Sequence, residues 1–452
     1  MLHSPPTDRM RPALTLRLRA SLVAFALLVA PSPAAAQAAR APVSRTANGF
    51  SPERLARVDR FLQQYVDSNR IAGAVALVIR DGQVAYTKSV GWMDRESRRP
   101  MTPDALFRIA SQSKAITSIA ILMLVEEGRI ALGDPVSRFI PAYEHTTVSS
   151  SADSGRTIVA ARRPITIQDL LTHTAGISYG GERRIADQYA AKGLGPAAGN
   201  GWYTADKSEP VCETMERLAT LPFVAQPGES FVYGYNTDIL GCVVERASGI
   251  ALDEFIRTRI TGPLGMTDTY FFVPPAKASR LVTLYMNDST GRVARAPEGS
   301  RGQGHYVEGP RRSLSGGAGI VSTARDYARF LQMILNRGEI DGVRILSPRS
   351  VDLMTSNQIP GIYSQSGRGF GLGFETVERI GANGYYSVGS FGWGGAYGST
   401  YMVDPAERMI VVFMINQMPN QSDVASKFPT LVYQALTGIA PRSGWSARAP
   451  AR

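Results

Sequence analysis

Residues 107–130, FRIASQSKAITSIAILMLVEEGRI, constrain the fold more than any other stretch of the chain. The run AITSIAILMLV at 115–125 is uncharged and apolar on every side of a helix, not along one stripe. Such a helix is stable only when it is surrounded, so the chain must build a large domain around it. Ser111 stands three residues before Lys114 at the start of this run, and positions i and i+3 share one helix face. In the first turn, unpaired N–H groups and the helix dipole favour an oxygen that is becoming negative. Lys114 leads into the apolar helix and is partly desolvated, which favours a neutral amine able to accept a proton. A serine with a base at that spacing is a candidate nucleophile.

The rest of the chain supplies the surroundings that this helix requires. Of 452 residues, 44% are hydrophobic and 19% charged, the proportions of an ordinary globular protein. Residues 1–36 read as an export signal: Arg9, Arg11, Arg17 and Arg19, the apolar run at 20–30, then a small-x-small site at Ala34 and Ala36. Cleavage is expected near Gln37, leaving a periplasmic or secreted protein. The apolar run is too short to span a bilayer, and no cysteine follows it to carry a lipid anchor, so no stable membrane anchor is expected. Residues 37–47 and 441–452 read as flexible tails. The net charge is +11, of which +3 lies in residues 1–36, leaving +8. The basic residues are scattered and form no stripe interleaved with aromatics, which argues against a nucleic-acid partner.

Cys212 and Cys242 are the only cysteines. Export leaves a disulfide open, but Cys242 lies in the apolar helical run DILGCVVERASG, and both are read as free thiols. His3, His145, His173 and His305 are not at metal-ligand spacing, and no metal or cofactor is implied. His173 in THTAG reads as a structural helix-end residue. His305, in a glycine-rich loop, is either a pocket border or a solvated side chain. A Ser-His-Asp triad is not expected.

Taken in order, the chain predicts a helix capped by Ser51 with Pro52 in its first turn, then a hairpin turning at Asp81-Gly82. The buried helix follows, then the short helix ITIQDLLTHTAGI ending at Gly176, a loop at 180–210, and a second buried helix after Pro227-Gly228. A proline-punctuated passage runs to about residue 310. Beyond it lie an amphipathic helix capped by Ser322 or Thr323, strands joined through Asp404-Pro405, and a closing helix. The expected fold class is α+β: residues 48–110 and 311–440 build an antiparallel sheet flanked by terminal helices, and residues 111–310 form an inserted, mainly helical region. The crevice between the two is the default site.

Ser111-Gln112-Ser113-Lys114 is a Ser-x-x-Lys motif, and the flanking MTPDALFRIAS, DLLTHTAGI, SGGAGIVST and MVDPAERMIVVF accompany it. Over residues 52–438 the chain resembles the serine β-lactamase and DD-peptidase superfamily, the penicillin-recognising serine hydrolases. Within it, the class C β-lactamase-like carboxylesterases called family VIII are most similar. Their second motif, Tyr-x-Asn, is matched in part by Tyr233, with Tyr235 two positions on and Asn236 after it. The resemblance implies a catalytic Tyr233, whose phenol can act as a base near neutral pH only beside a cation such as Lys114. Tyr235 and Asn236 are expected in the pocket wall. The β-lactamases' third motif, Lys-Thr-Gly, is absent, since no lysine lies between Lys277 and Lys427, and Trp393-Gly394-Gly395 stands in its place. In the esterase branch that triplet borders the substrate, and the N–H groups of Ala396 and Ser111 would form the oxyanion hole. An indole in place of an ammonium favours a neutral acyl or alcohol group over a substrate carboxylate.

Together these readings imply an exported serine hydrolase working through an acyl-enzyme, most simply a carboxylesterase on small esters. A β-lactamase or DD-peptidase acting on cell-wall-like amides is the alternative within enzymes. A non-catalytic β-lactam or cell-wall-binding module is the alternative outside them.

Overall fold

A computed structural model of the protein describes residues 48–152, 155–195, 206–288, 292–363 and 365–438. The expected export signal and both tails lie outside the described residues. The chain divides into a segment Met1–Pro42 and one compact unit, Val43–Arg452. Sheet and inserted region therefore belong to the same compact unit.

Helix α1, Pro52–Asp67, begins as the sequence requires, with Ser51 Oγ accepting the Arg54 N–H at 3.3 Å. Strands β1, Gly73–Arg80, and β2, Gln83–Asp94, form the predicted hairpin. Its turn places Asp81 and Gly82 in the left-handed region that Asp and Gly tolerate best. The short β3, Arg99–Pro100, extends it. The remaining strands come from the far end of the chain: β4, Arg368–Phe370; β5, Glu375–Val377; β6, Phe391–Gly394; β7, Thr400–Asp404; and β8, Met409–Met414. All eight pair antiparallel in the order β4-β5-β6-β7-β8-β1-β2-β3, with β1 and β8 meeting from Val75↔Met414 to Arg80↔Met409.

The run MIVVFM of β8 is buried at every position because both faces of this sheet are covered. Side chains alternate between faces along a strand. Ala74, Ala76, Val78, Val411 and Phe413 pack under α1 and under the closing helix α6, Val424–Tyr433. Val75, Leu77, Ile410, Val412 and Met414 face a second core, in which the helix at Ala324–Leu335 packs on β1 and β8.

Helix α2, Ser113–Glu126, lies in the middle of that second core, buried at every position from Ser113 to Leu124. This is the surrounding that its uniform apolar sequence demands. Against it packs α4, Asn236–Ser248, through Leu240, Val243 and Val244. Helix α3, Val211–Leu218, lies on α4, and here the structure corrects the reading of the cysteines: Cys212 and Cys242 form a disulfide. Cys242 is a buried core residue, as its helical context implies. Packing of α3 on α4 brings Cys212 to a Cα–Cα distance of 5.2 Å, within bonding range. The inserted region is also less purely helical than expected, carrying the ribbons Thr147–Ala152 with Gly155–Ala160 and Tyr285–Asn287 with Val293–Arg295. Helix α5, Ala324–Leu335, is capped by Thr323, whose side chain accepts the Asp326 N–H.

Candidate active site

Two distant segments meet at the start of α2. Phe107–Arg108 pairs with Val321–Ser322, the Ile109 N–H donates to Ile320 O at 3.0 Å, and the Ile320 N–H donates to Ser113 Oγ at 3.1 Å. Ser111 does not sit in α2 itself but in a separate 3-10 turn, Ala110–Gln112, that leads into it. Ala110 is fully buried with φ +44°, a conformation that costs an alanine roughly 1–2 kcal/mol. Packing against Leu284, Ala296 and Tyr397 holds it there. The strained residue immediately precedes Ser111, whose own side chain remains part-exposed.

Lys114 is 2% exposed. Its Nζ contacts Gly317 O at 2.8 Å, Tyr179 Oη at 3.0 Å and Ser111 Oγ at 3.4 Å. The two short contacts to Gly317 and Tyr179 fix the position of Nζ, and Ser111 Oγ is its third and longest partner. That arrangement suits removal of the serine proton.

Tyr233 also lies beside Lys114, but presents its ring face, with Nζ 4.8 Å from the centroid. Its hydroxyl instead accepts the Trp393 Nε1–H at 3.1 Å. Because an indole nitrogen only donates, the Tyr233 oxygen is fixed as an acceptor. Tyr179, in the segment THTAGISYG, was not singled out in the sequence. The helix expected to end at Gly176 stops at Leu171, and only the fold carries this tyrosine back to Lys114.

Two expected wall residues are not in the wall. Tyr235 is 1% exposed and its hydroxyl accepts the Gly195 N–H at 3.0 Å. Its ring stands edge-on to Tyr179, with centroids 5.0 Å apart. Asn236 is fully buried, its amide nitrogen bonded to Ile177 O and Val232 O, both at 3.2 Å, and to His173 Nδ1 at 2.9 Å. The opening of α4 turns both residues inward, where they support the site. His173 is structural, as expected, though its ring bonds to this side chain and not to backbone. Burial, followed by the charge of Lys114, holds its pKa well below the ordinary imidazole value. His305 is exposed, with Nδ1 2.6 Å from an Asp206 carboxylate oxygen.

Trp393 and Gly394 end β6 beside this group, and Gly395 follows. A Cβ on Gly395 would lie 2.4 Å from Ile109 O, so the absent side chain lets the strand end close against the nucleophile's turn. Ala396, next in line, is exposed. Rings continue outward from Tyr233: Trp393 at 5.5 Å, Phe370 a further 5.5 Å from Trp393, then Phe231 and Tyr363. This side of the site is apolar.

Comparison with known proteins agrees with this geometry. A family model described as Beta-lactamase matches residues 58–435. The chain belongs to the beta-lactamase family. Among curated members, Esterase EstB of Burkholderia gladioli is 31% identical over 377 residues, covering 80% of this chain and 90% of that protein. A putative D-alanyl-D-alanine carboxypeptidase of Escherichia coli (strain K12) is 27% identical, covering 88% and 90%. Among solved structures, EstCE1, described as a hydrolase with promiscuous acyltransferase activity, superposes with a TM-score of 0.69 at 27% identity, covering 85% of this chain and 98% of that one. This member of the beta-lactamase family is accordingly a serine hydrolase, and its α+β fold is that of the β-lactamases and transpeptidases.

Proposed function

We propose that the protein is an exported carboxylesterase that hydrolyses small, neutral esters through an acyl-enzyme on Ser111. The observation that carries this reading is the pairing of Lys114 Nζ with Ser111 Oγ beneath a tryptophan-lined wall. Lys114 takes the proton of Ser111 as Oγ attacks the ester carbonyl, and the N–H groups of Ser111 and Ala396 receive the oxyanion. Tyr179, bonded to Nζ, and Tyr233, facing it, pass the proton on to the departing alcohol. Water then releases the acid by the same route in reverse.

Neutral substrates are favoured because the place of the β-lactamase lysine is held by an indole. Arg368, the cation on the strand beyond, is engaged by Glu375 at 3.3 Å and by Ala382 O at 2.9 Å. Export is supported by the signal-like residues 1–36 and by the Cys212–Cys242 disulfide, a bond that persists mainly in oxidising compartments.

The test has two parts. A fluorophosphonate probe should label Ser111, and Ser111→Ala should abolish both labelling and hydrolysis. A panel of p-nitrophenyl esters, nitrocefin and a D-Ala-D-Ala peptide should then show the short esters turned over fastest. Labelling without preference for esters would favour the amide-hydrolase reading, and absence of labelling would favour a binding module.

A further inference from the structure

The amine that would deprotonate Ser111 is held by a carbonyl, Gly317 O, and the turn that carries this carbonyl is fixed by a residue not yet assigned a role. Asp238 lies in the first turn of α4 and is 1% exposed. Its Oδ1 accepts from Ser315 Oγ and from the Gly317 N–H, the latter at 3.1 Å. Ser315 Oγ also accepts the Ala318 N–H at 3.0 Å. Carboxylate and hydroxyl together thus fix the turn at residues 315–318. From the opposite side, Thr117 Oγ1 donates to Gly316 O at 2.8 Å. Only glycines fit the gap, since a Cβ on Gly316 would lie 2.8 Å from Thr237 O and one on Gly317 would lie 2.6 Å from Asp238 Oδ2.

The other oxygen, Asp238 Oδ2, is buried and has no hydrogen-bond partner among the described residues. A carboxylate kept in that state is costly unless a charge compensates it. Burial raises the pKa of Asp238, and the strongest opposing influence is the positive charge of Lys114. Among the described residues, no carboxylate is bonded to Lys114 itself. Its neighbours are Ser111, the phenols Tyr179 and Tyr233, the Gly317 carbonyl, and the neutral His173. The buried Tyr143 is a further titratable side chain in the electrostatic surroundings of Asp238.

We propose that Asp238 is the positioning residue of Lys114. Its carboxylate clamps the 315–318 turn so that Gly317 O holds Nζ against Ser111, and its buried negative charge balances the ammonium that forms when Lys114 takes the serine proton. The inference rests on the acyl-enzyme reading above and adds to it the origin of the lysine's placement and charge balance.

Asp238→Asn separates charge from shape, because the amide oxygen can still accept from Ser315 and Gly317. The rate of fluorophosphonate labelling at Ser111 and the pH profile of kcat/KM for p-nitrophenyl butyrate are measured in the wild-type protein and the variant. Acylation should slow about ten- to a hundredfold, the usual worth of a charge-assisted interaction, with the loss in kcat and little change in KM. The acid limb of kcat/KM should move to lower pH, because the ammonium has lost its counter-charge. A purely structural role would leave that limb in place. A folded variant that labels at the wild-type rate with a superimposable pH profile would overturn the proposal. Should Asp238→Asn not fold, Ser315→Ala loosens the clamp and keeps the charge. Its labelling should slow several-fold with an unmoved pH profile, and a wild-type rate would again overturn the proposal. Failure of the wild-type protein to label at Ser111 would instead remove the acyl-enzyme reading, so the two failures are distinguishable.

Discussion

Replacing Trp393 by phenylalanine removes the indole N–H together with the smaller ring that carries it. Trp393 packs on Tyr233 and Phe370, each 5.5 Å away between centroids, and a phenyl keeps part of that contact, while the 3.1 Å bond from Nε1 to Tyr233 Oη is lost. With a neutral phenol as acceptor such a bond contributes about 1 kcal/mol net, and with an oxygen carrying developing negative charge about 1.5–3 kcal/mol. If Tyr233 relays the proton, the bond is stronger in the transition state than in the resting enzyme by about 0.5–2 kcal/mol. That difference lowers kcat about two- to thirtyfold and leaves KM nearly unchanged. The assay is steady-state hydrolysis of p-nitrophenyl butyrate by the wild-type protein, Trp393→Phe, Tyr233→Phe and the double variant, with thermal midpoints as the check on folding. Because the indole acts through the Tyr233 oxygen, adding Trp393→Phe to Tyr233→Phe should change nothing further. A variant with unchanged kcat and a raised KM would refute the argument and leave Trp393 as a wall alone.

Three other outcomes follow from the geometry. Gly395→Ala should abolish most activity in a protein that still folds, because its Cβ would lie 2.4 Å from Ile109 O and push the strand end away from the nucleophile's turn; active-site labelling of the folded variant reports the result. Reducing the Cys212–Cys242 disulfide, which spans 30 residues, should destabilise the fold by about 3–4 kcal/mol through the freed unfolded chain, read as a lower denaturant midpoint in dithiothreitol. His173 binds its proton far more weakly folded than unfolded, so its contribution is complete above the unfolded value near 6.5 and is lost as pH falls below it, by about 1.4 kcal/mol per unit. His173→Asn, a residue suited to φ +58°, should remove that slope, and the difference in thermal midpoint between wild type and variant at pH 7.5 and 5.5 measures it.

Much of the fold is local and therefore legible in the sequence. Ser51 and Thr323 cap their helices, and Asp81-Gly82 turns its hairpin, through interactions with residues three or fewer positions away. The uniform apolarity of residues 115–125 requires a helix in the middle of the core, and α2 occupies that place. The adjacency of Ser111 and Lys114 is likewise local, since one helical turn brings i to i+3.

What the sequence could not decide is whatever depends on segments meeting from far apart. Whether Cys242 stays a thiol depends on where α3 lies, and no neighbour of either cysteine encodes that packing. Tyr235 and Asn236 look like wall residues beside Tyr233, yet the rotation of α4 about its own axis turns them inward. Tyr179, 65 residues from Lys114, and Gly317, 203 residues away, become its nearest partners only when later parts of the chain fold back over α2. The sequence therefore determined which groups could carry the chemistry and where each secondary element begins. Only the tertiary structure decided which phenol touches the lysine, which carbonyl holds it and which carboxylate lies behind it, because those contacts are made by closing long loops around a core that no local rule describes.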